Sequence, residues 1–516
     1  MQHKPSAMKI VTFFLILLFG HLILNAQFIY FNNRYNNDNW SASLSIIETD
    51  YGYVIAGVSG VASGEYIFKR IVLTAIDDEA NQLWWKTYGE DFHNYYAGFM
   101  RGCIKTSDGG FAISGGIQDS IRHVGTLVKF DEDGDLSWIR KYGDTVSTYY
   151  TSTIFTVCNQ LPDNGYLITG TFWVSEDDQD IILIRTDSLG NIKWSHTYGQ
   201  LHWSDGGYSI AQLPDGYFLI GLDKEKVGNN TLTDGGLLKV DSLGNQIWIK
   251  YYGGIYDDGY SQVVLSQDGN YLIGSTYAVS QPHPDYPDHK IWLKKTDTSG
   301  NIIWERKYSD TVFMGWCSAV EELENGDIIV SGTGAFADGF GNYGWILKTD
   351  ENGDSLWMRR YSYYPTFENH LNDMRITSDS GLIITGMAFG EPDWEQSIWV
   401  QKLDSIGCDS SGCDTTVGIV QLFPPFSGSA GISIYPNPAS DRINFVLRQI
   451  SLSTFYASNR ELEIFNLFGE KMAGLKISVF QETYSFDVSS FPPGFYIAVI
   501  REKQKVTWCG RFMVDR

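Results

Sequence analysis

The chain has 516 residues, 43% of them hydrophobic and 15% aromatic, with 61 Asp and Glu against 38 Lys and Arg for a formal net charge of −23. That length holds several cores or one large repeat array. The charge excludes a nucleic-acid partner, because phosphate binding needs a basic footprint, and suits a chain kept soluble outside the cell.

At the N-terminus, Lys4 and Lys9 precede an apolar run over 10–24 that ends in Leu24-Asn25-Ala26-Gln27. A basic start, a short apolar core and a small exit residue predict a secretory signal peptide over 1–26, cut between Ala26 and Gln27. The run is short and interrupted for a membrane span, and no later segment is long and apolar enough to be one.

From residue 28 the chain becomes periodic. An Asp, a Gly-containing turn and a Trp seven places after the Asp recur as Asp77…Trp84, Asp131…Trp138, Asp187…Trp194, Asp241…Trp248, Asp297…Trp304 and Asp350…Trp357. The Trp-to-Trp steps are 54, 56, 54, 56 and 53 residues. A period of that size marks one supersecondary unit that must stack on copies of itself. The fourth unit reads as four strands: 207–213, a Pro-Asp-Gly turn, 217–221, a variable loop, 236–241, a Ser-Leu-Gly-Asn turn, and 246–252. Both turns have hairpin chemistry.

The second and third strands recur seven times, but the Trp strand only six. Beyond Asp404 no Trp strand follows. The missing copy lies at 28–35, where Phe31 and Tyr35 are four apart, as Trp84 and Tyr88 are. The expected fold is therefore all-β: a seven-bladed β-propeller over 27–414 whose N-terminal strand closes the last blade, leaving no open edge. The loops 58–70, 116–123, 171–180, 222–235, 276–289, 333–343 and 387–396 vary most and share one face, where binding is expected.

Six cysteines are too few for a disulfide scaffold. Cys408 and Cys413 are close enough to pair, whereas Cys103 and Cys158, at equivalent places in neighbouring units, are not expected to.

A Pro/Ser/Gly-rich linker covers 415–430, and period-two strands between turns predict a small β-sandwich over 431–516. This last stretch carries Tyr435-Pro436-Asn437-Pro438, Asn466-Leu467-Phe468-Gly469, Pro493-Gly494-Phe495-Tyr496 and a basic end. With those motifs it resembles the type A C-terminal sorting domain of the Bacteroidetes type IX secretion system. The resemblance implies recognition by the secretion machinery, export across the outer membrane, removal of the domain and, often, attachment to surface lipopolysaccharide. The repeats are similar to arrays that often accompany such domains. Neither resemblance names a ligand.

Candidate chemistry is sparse. The repeat Trp residues, like Trp292, Trp345 and Trp399 at a second repeat position, are read as packing between sheets. The acidic turns at Asp131 and Asp350 lack EF-hand spacing and are read as hairpins, with calcium as the alternative; no other cofactor is expected. Two His and two Asp in 281–289 have metal-ligand character but are read as an exposed polar loop. Trp40, Trp173, Trp203, Trp316 and Trp394 fall outside the repeat core, near Tyr95, Tyr96, Tyr149, Tyr150 and Tyr256 on one face. They form the candidate binding surface for an extracellular glycan or protein. No nucleophile elbow, zinc helix or phosphate loop is present in the sequence. The expected function is non-catalytic binding or adhesion at the cell surface. The alternative is an extracellular glycosidase-like hydrolase with apposed carboxylates at the channel mouth.

Overall fold

The structure is a computed structural model that describes residues 28–64, 66–118, 123–143, 152–175, 178–199, 204–226, 229–256, 258–283, 286–335, 341–364, 367–410, 431–435, 439–448, 460–466, 471–477, 483–502 and 505–515. The signal-peptide residues Ala26 and Gln27 lie outside this set, as do Tyr149, Tyr150, Trp203, Cys413, Pro436, Asn437, Pro438 and Gly469. Every regular element among the described residues is a strand. The chain divides into two compact units, one of residues 1–198 and 371–413, the other of 199–370 and 414–516.

The first unit repeats one plan. Trp40–Thr49, Gly52–Ser63, Tyr66–Ile76 and Gln82–Tyr88 pair antiparallel in chain order, as do Ser152–Gln160, Tyr166–Ser175, Asp178–Thr186 and Ile192–Tyr198. The sheet between them in sequence has Phe111–Gln118, His123–Phe130 and Leu136–Tyr142. Its first strand is broken into Asn94–Tyr96 and Cys103–Lys105. A further sheet holds Glu368–Ile376, Leu382–Phe389 and Ser397–Leu403, and its fourth strand is Phe31–Tyr35 from the other end of the chain. Phe31 pairs with Lys402 and Tyr35 with Ile398.

The second unit has a four-stranded sheet of Asp205–Gln212, Phe218–Lys226, Asn229–Val240 and Gln246–Tyr252, followed by a seven-stranded sheet. Two separate sheets were expected there. They are joined because Ile302–Glu322 runs on as one strand from the last strand of one repeat into the first strand of the next. The passage Thr311-Val312-Phe313-Met314 has strand formers where other repeats have turn residues. In the C-terminal region, Gly431–Tyr435, Arg442–Arg448 and Thr483–Asp487 form one sheet, and Lys471–Ile477, Arg460–Asn466, Gly494–Glu502 and Lys505–Val514 another. Ile443 and Phe445 from the first share a core with Leu462, Ile464, Ala498 and Phe512 from the second. Tyr496 is buried there, stacked on Phe512 at 5.6 Å, with its hydroxyl donating to the Pro492 carbonyl at 2.7 Å.

First strands carry a β-bulge at Leu44, Thr156, Tyr208 and Ser318. A bulge frees backbone groups from their own ladder, and those strands bond across sheets instead. Cys103 N donates to Ser45 Oγ and Val263 N to Ser209 Oγ, both at 3.1 Å, and Ile46 N donates to Asp373 Oδ2 at 3.1 Å. Cys103, Cys158 and Cys317 are free thiols, and Cys408 is disulfide-bonded.

The Asp…Trp phrase has a physical reading at each position. The first Asp caps its own turn: Asp187 Oδ1 accepts from Leu189 N and Asn191 N at 2.9 and 2.8 Å, and Asp131 and Asp350 do the same in their turns. The Gly that follows takes a positive φ and lies against a Trp from the preceding repeat. A Cβ on Gly134, Gly190, Gly300 or Gly353 would meet the ring of Trp84, Trp138, Trp248 or Trp304 at 2.7 to 3.1 Å. The Tyr four places after the Trp donates its hydroxyl to the same Gly carbonyl, as Tyr142 does to Gly190 and Tyr252 to Gly300 at 2.7 Å. Tyr35 makes this bond too, at 2.8 Å, but to Ala80. Ala80 also has positive φ. It is the turn with a Cβ, and the strand that bonds to it carries Phe31 where the others carry Trp. Gly300→Ala is therefore expected to lower stability by about 1–3 kcal/mol, from left-handed backbone strain plus the clash with Trp248, whereas Ala80→Gly, which trades relief of that strain against unfolded-chain entropy, is expected to change it by well under 1 kcal/mol. Urea midpoints of the two variants check this.

Candidate functional site

The end of each sheet at which the second strand passes to the third carries the residues that depart from the repeat. In the first unit they form a row of rings. Lys69 Nζ sits 4.9 Å from the Tyr96 ring centroid, Tyr96 lies 5.5 Å from His123, and His123 stacks on Trp173 at 6.4 Å with planes 23° apart. All four side chains are half-buried. The row is fixed by local bonds: Lys69 N donates to Asn94 Oδ1 at 2.9 Å, Tyr96 Oη to Gln118 Oε1 at 2.8 Å and His123 N to Ser152 Oγ at 3.0 Å. Burial raises the Tyr96 hydroxyl above its ordinary pKa, so it stays a neutral donor at physiological pH. Tyr66, Phe68 and Phe92 continue the apolar surface next to Lys69. Phe68 lies 6.3 Å from Tyr66 and 5.6 Å from Phe92, which is 75% exposed with φ +66. An exposed aromatic in the left-handed region runs against both burial and backbone preference.

Of the candidate Trp residues, Trp173 enters this row and Trp316 enters a separate group in the second unit. Trp316 stacks on His370 at 5.3 Å, and His370 Nε2 approaches Glu368 Oε2 at 3.2 Å. Asn342 Nδ2 bonds to the same carboxylate and lies 2.9 Å from His370 Nε2. The bond with His370 holds the Glu368 carboxyl below its ordinary value, and Trp316 Nε1 is buried without a partner. Trp40 lies on its own sheet, with its indole filling the place of a Cβ on Gly60. Trp394 is 51% exposed, at φ +56, and lies 5.7 Å from Phe389. Tyr95 is in the core. Of the candidates, Trp40, Trp173, Trp316 and Trp394 thus each lie against different neighbours, and Trp203 lies outside the described residues. Trp345 and Trp399 are fully buried and Trp292 nearly so, as packing residues should be.

Two carboxylates share the hairpin of Trp173 but leave the opposite face of its sheet. In the register of Tyr166–Ser175 with Asp178–Thr186, Trp173 faces Gln179, between Asp178 and Asp180. Asp178 is 5% exposed with Oδ1 lacking a hydrogen-bond partner. Burial, and then the charge of Asp178, push the Asp180 carboxyl above its ordinary value. Among the described residues no group of three or more His, Cys, Asp or Glu is placed to hold a metal ion. Of the 281–289 loop, Pro284 and Asp285 lie outside those residues, and His289 is buried.

A second periodic set escaped the sequence reading. A base two places before the turn Asp pairs with an Asp from the first turn of its sheet. The pairs are Lys129–Asp108 at 3.0 Å, Arg185–Asp163 at 2.5 Å, Lys295–Asp268 at 2.7 Å, Lys348–Asp327 at 3.0 Å and Lys402–Asp379 at 2.8 Å. Against the opposing pull of burial, Lys295 draws the Asp268 carboxyl down to about 2. The base recurs at a fixed place before the turn Asp, so that half of the signal was there to be read. These pairs are structural and account for much of the buried charge.

Residues 433–515 match the secretion system C-terminal sorting domain family. No curated protein matches the sequence. Among solved structures, the chain is similar to a protein of unknown function from Dyadobacter fermentans, at 11% identity over 72% of this chain and 96% of that one, TM-score 0.40. It is similar to the polysaccharide lyase Uly1 at 9% identity, over 74% and 93%, TM-score 0.43. It is also similar to the β-propeller domain of the Trilobed protease from Pyrococcus furiosus, which has an open velcro topology, at 8% identity over 71% and 94%, TM-score 0.41. Likenesses this distant carry no functional inference. The sorting domain does: it marks a protein exported by type IX secretion to the cell surface or the extracellular space.

Proposed function

We propose that this chain is a seven-bladed β-propeller displayed outside a Bacteroidetes cell, where its aromatic row binds polysaccharide without chemistry of its own. Export begins with a leader ending at Ala26 and is completed by the type IX machinery acting on a C-terminal β-sandwich. Taking the seven-stranded sheet as two repeats joined through Ile302–Glu322 gives seven sheets of one plan, the last completed by Phe31–Tyr35.

The observation that carries the binding reading is the row Lys69, Tyr96, His123 and Trp173. Sugar rings present C–H faces that lie on aromatic rings, with hydroxyls at the rim for polar groups such as Gln118 and Asn94. Strand-mounted rings held by hydrogen bonds lose little freedom on binding, which favours affinity. A folded partner protein would also accept aromatic anchors, but half-buried rings in file suit an extended chain better than a bulky domain.

One feature favours the hydrolase reading: Asp178 and Asp180 are neighbouring carboxylates on the Trp173 hairpin. They leave the same side of one strand, however, whereas glycosidase acids flank the scissile bond from opposite sides.

On a polysaccharide array, the purified protein is expected to retain at least one glycan. Trp173→Ala is expected to weaken that binding roughly tenfold or more, with Trp173→Phe intermediate and the melting temperature nearly unchanged. Retention of no glycan, or equal binding by Trp173→Ala, would remove the proposal.

A further inference from the structure

Asp178 and Asp180 are two places apart on one strand, so their side chains leave the same side of the sheet with Cα atoms about 6.6 Å apart. Asp178 is 5% exposed and its Oδ1 is buried without a donor. Among the described residues no Lys, Arg or His pairs with either carboxylate, and neither accepts a hydrogen bond. Asp163 and Asp373 stand in contrast. Asp163 has Arg185 and Lys193, and Asp373 has Arg101, Arg375 and two backbone N–H groups. A carboxylate withdrawn from water without donor or counter-charge is costly, and two side by side repel.

We propose that Asp178 and Asp180 hold a divalent cation of the calcium class on the face of the sheet opposite Trp173. Donors that are all oxygen select a hard cation over zinc or copper. A cation neutralises the repulsion and satisfies the orphaned Oδ1 together. Two carboxylates fill only part of a shell of six to eight oxygens. The remaining positions go to water, which reaches the pair at the half-exposed Asp180. Occupancy by the ion does not rest on the polysaccharide reading.

The test uses purified full-length protein stripped with chelator. Terbium is titrated in, with emission excited through tryptophan, then displaced with calcium, and melting is followed in parallel. Calcium is expected to displace terbium and raise the melting temperature. In the Asp178→Asn/Asp180→Asn double variant the affinity should fall on the order of tenfold or more, and the ion-free protein should melt no lower than the ion-free wild type. Should the double variant fail to fold, Asp180→Asn alone gives the same comparison at the half-exposed position. Absence of calcium binding, or unchanged binding in the variants, overturns the site. If melting responds to acidification but not to calcium, the pair shares a proton and the proposal fails. If calcium binds while no glycan does, the ion site stands and the polysaccharide reading falls.

Discussion

Deleting residues 28–35 is expected to abolish the cooperative unfolding transition and leave a chain that aggregates. Phe31–Tyr35 pairs along its whole length with Ser397–Leu403, a strand in which all seven residues are buried. Around that ladder, Tyr35 Oη donates to Ala80 O, Trp399 Nε1 donates to Asn32 Oδ1 at 2.7 Å, Tyr30 Oη donates to Asp404 Oδ2 at 3.0 Å, and Arg34 pairs with Asp393 at 2.5 Å. Burial of Phe31 and Tyr35 contributes about 1.5–3 kcal/mol each, and each ladder bond about 1 kcal/mol. The sum is comparable to the whole stability of a typical domain, about 5–15 kcal/mol. The deletion also turns a fully buried strand into an open apolar edge. Tyr35→Phe removes the bond to Ala80 and the longer one accepted from Asn33 Nδ2, and is expected to cost about 1–2 kcal/mol. Urea unfolding with size-exclusion chromatography separates these outcomes. A monomeric deletion variant with an unchanged midpoint would show that the segment is not part of the fold.

The second large effect concerns a lysine in an apolar place. Lys294 lies on Tyr286–Thr296 with no exposure, its Nζ donating to Ser275 Oγ at 2.7 Å and lying 3.4 Å from the Trp292 ring centroid. At the same repeat position other sheets carry Thr74, Val128, Ile184, Leu238, Leu347 and Gln401. Burial pushes the Lys294 ammonium down to about 7, although Asp258, Glu305 and Cys317 favour the charge and Lys307 opposes it. The unfolded chain, with a lysine near its ordinary value, binds the proton more tightly than the fold does. Between about pH 7 and pH 10, then, the unfolded state holds more protons, and stability rises with pH. The full span corresponds to an upper limit of roughly 5 kcal/mol. Lys294→Leu is expected to raise the melting temperature at neutral pH and to flatten the rise. A variant that destabilises the protein, or keeps the wild-type pH dependence, contradicts this environment.

What was legible in the sequence was what local chemistry repeats. Asp187 and its counterparts could be read because a capped hairpin needs that residue at that place, and Tyr35 because the four-residue step to Phe31 survived although Trp did not. The break of the first strand between Asn94–Tyr96 and Cys103–Lys105 was not read although Gly98 and Gly102 lie in it, because glycines such as Gly206 and Gly207 also stand in an unbroken first strand. The site was half legible. Trp173 and Trp316 stood out by leaving the repeat, but so did Trp40 and Trp394, and composition could not tell a ring stacked on His123 from one lying on Gly60. That difference depends on which side chain another sheet presents, and no spacing within one repeat encodes it. Asp178 was invisible for the same reason: a carboxylate is remarkable only when its surroundings offer it no donor.

On the proposed function, the protein holds polysaccharide outside the cell without consuming it. The direct measurement incubates purified protein with a polysaccharide it retains, and follows binding together with the release of reducing ends and unsaturated products. Saturable binding that weakens in Trp173→Ala, with no product above background, is the expected result. Product formation that disappears when Asp178 or Asp180 is replaced would contradict it and make the site catalytic.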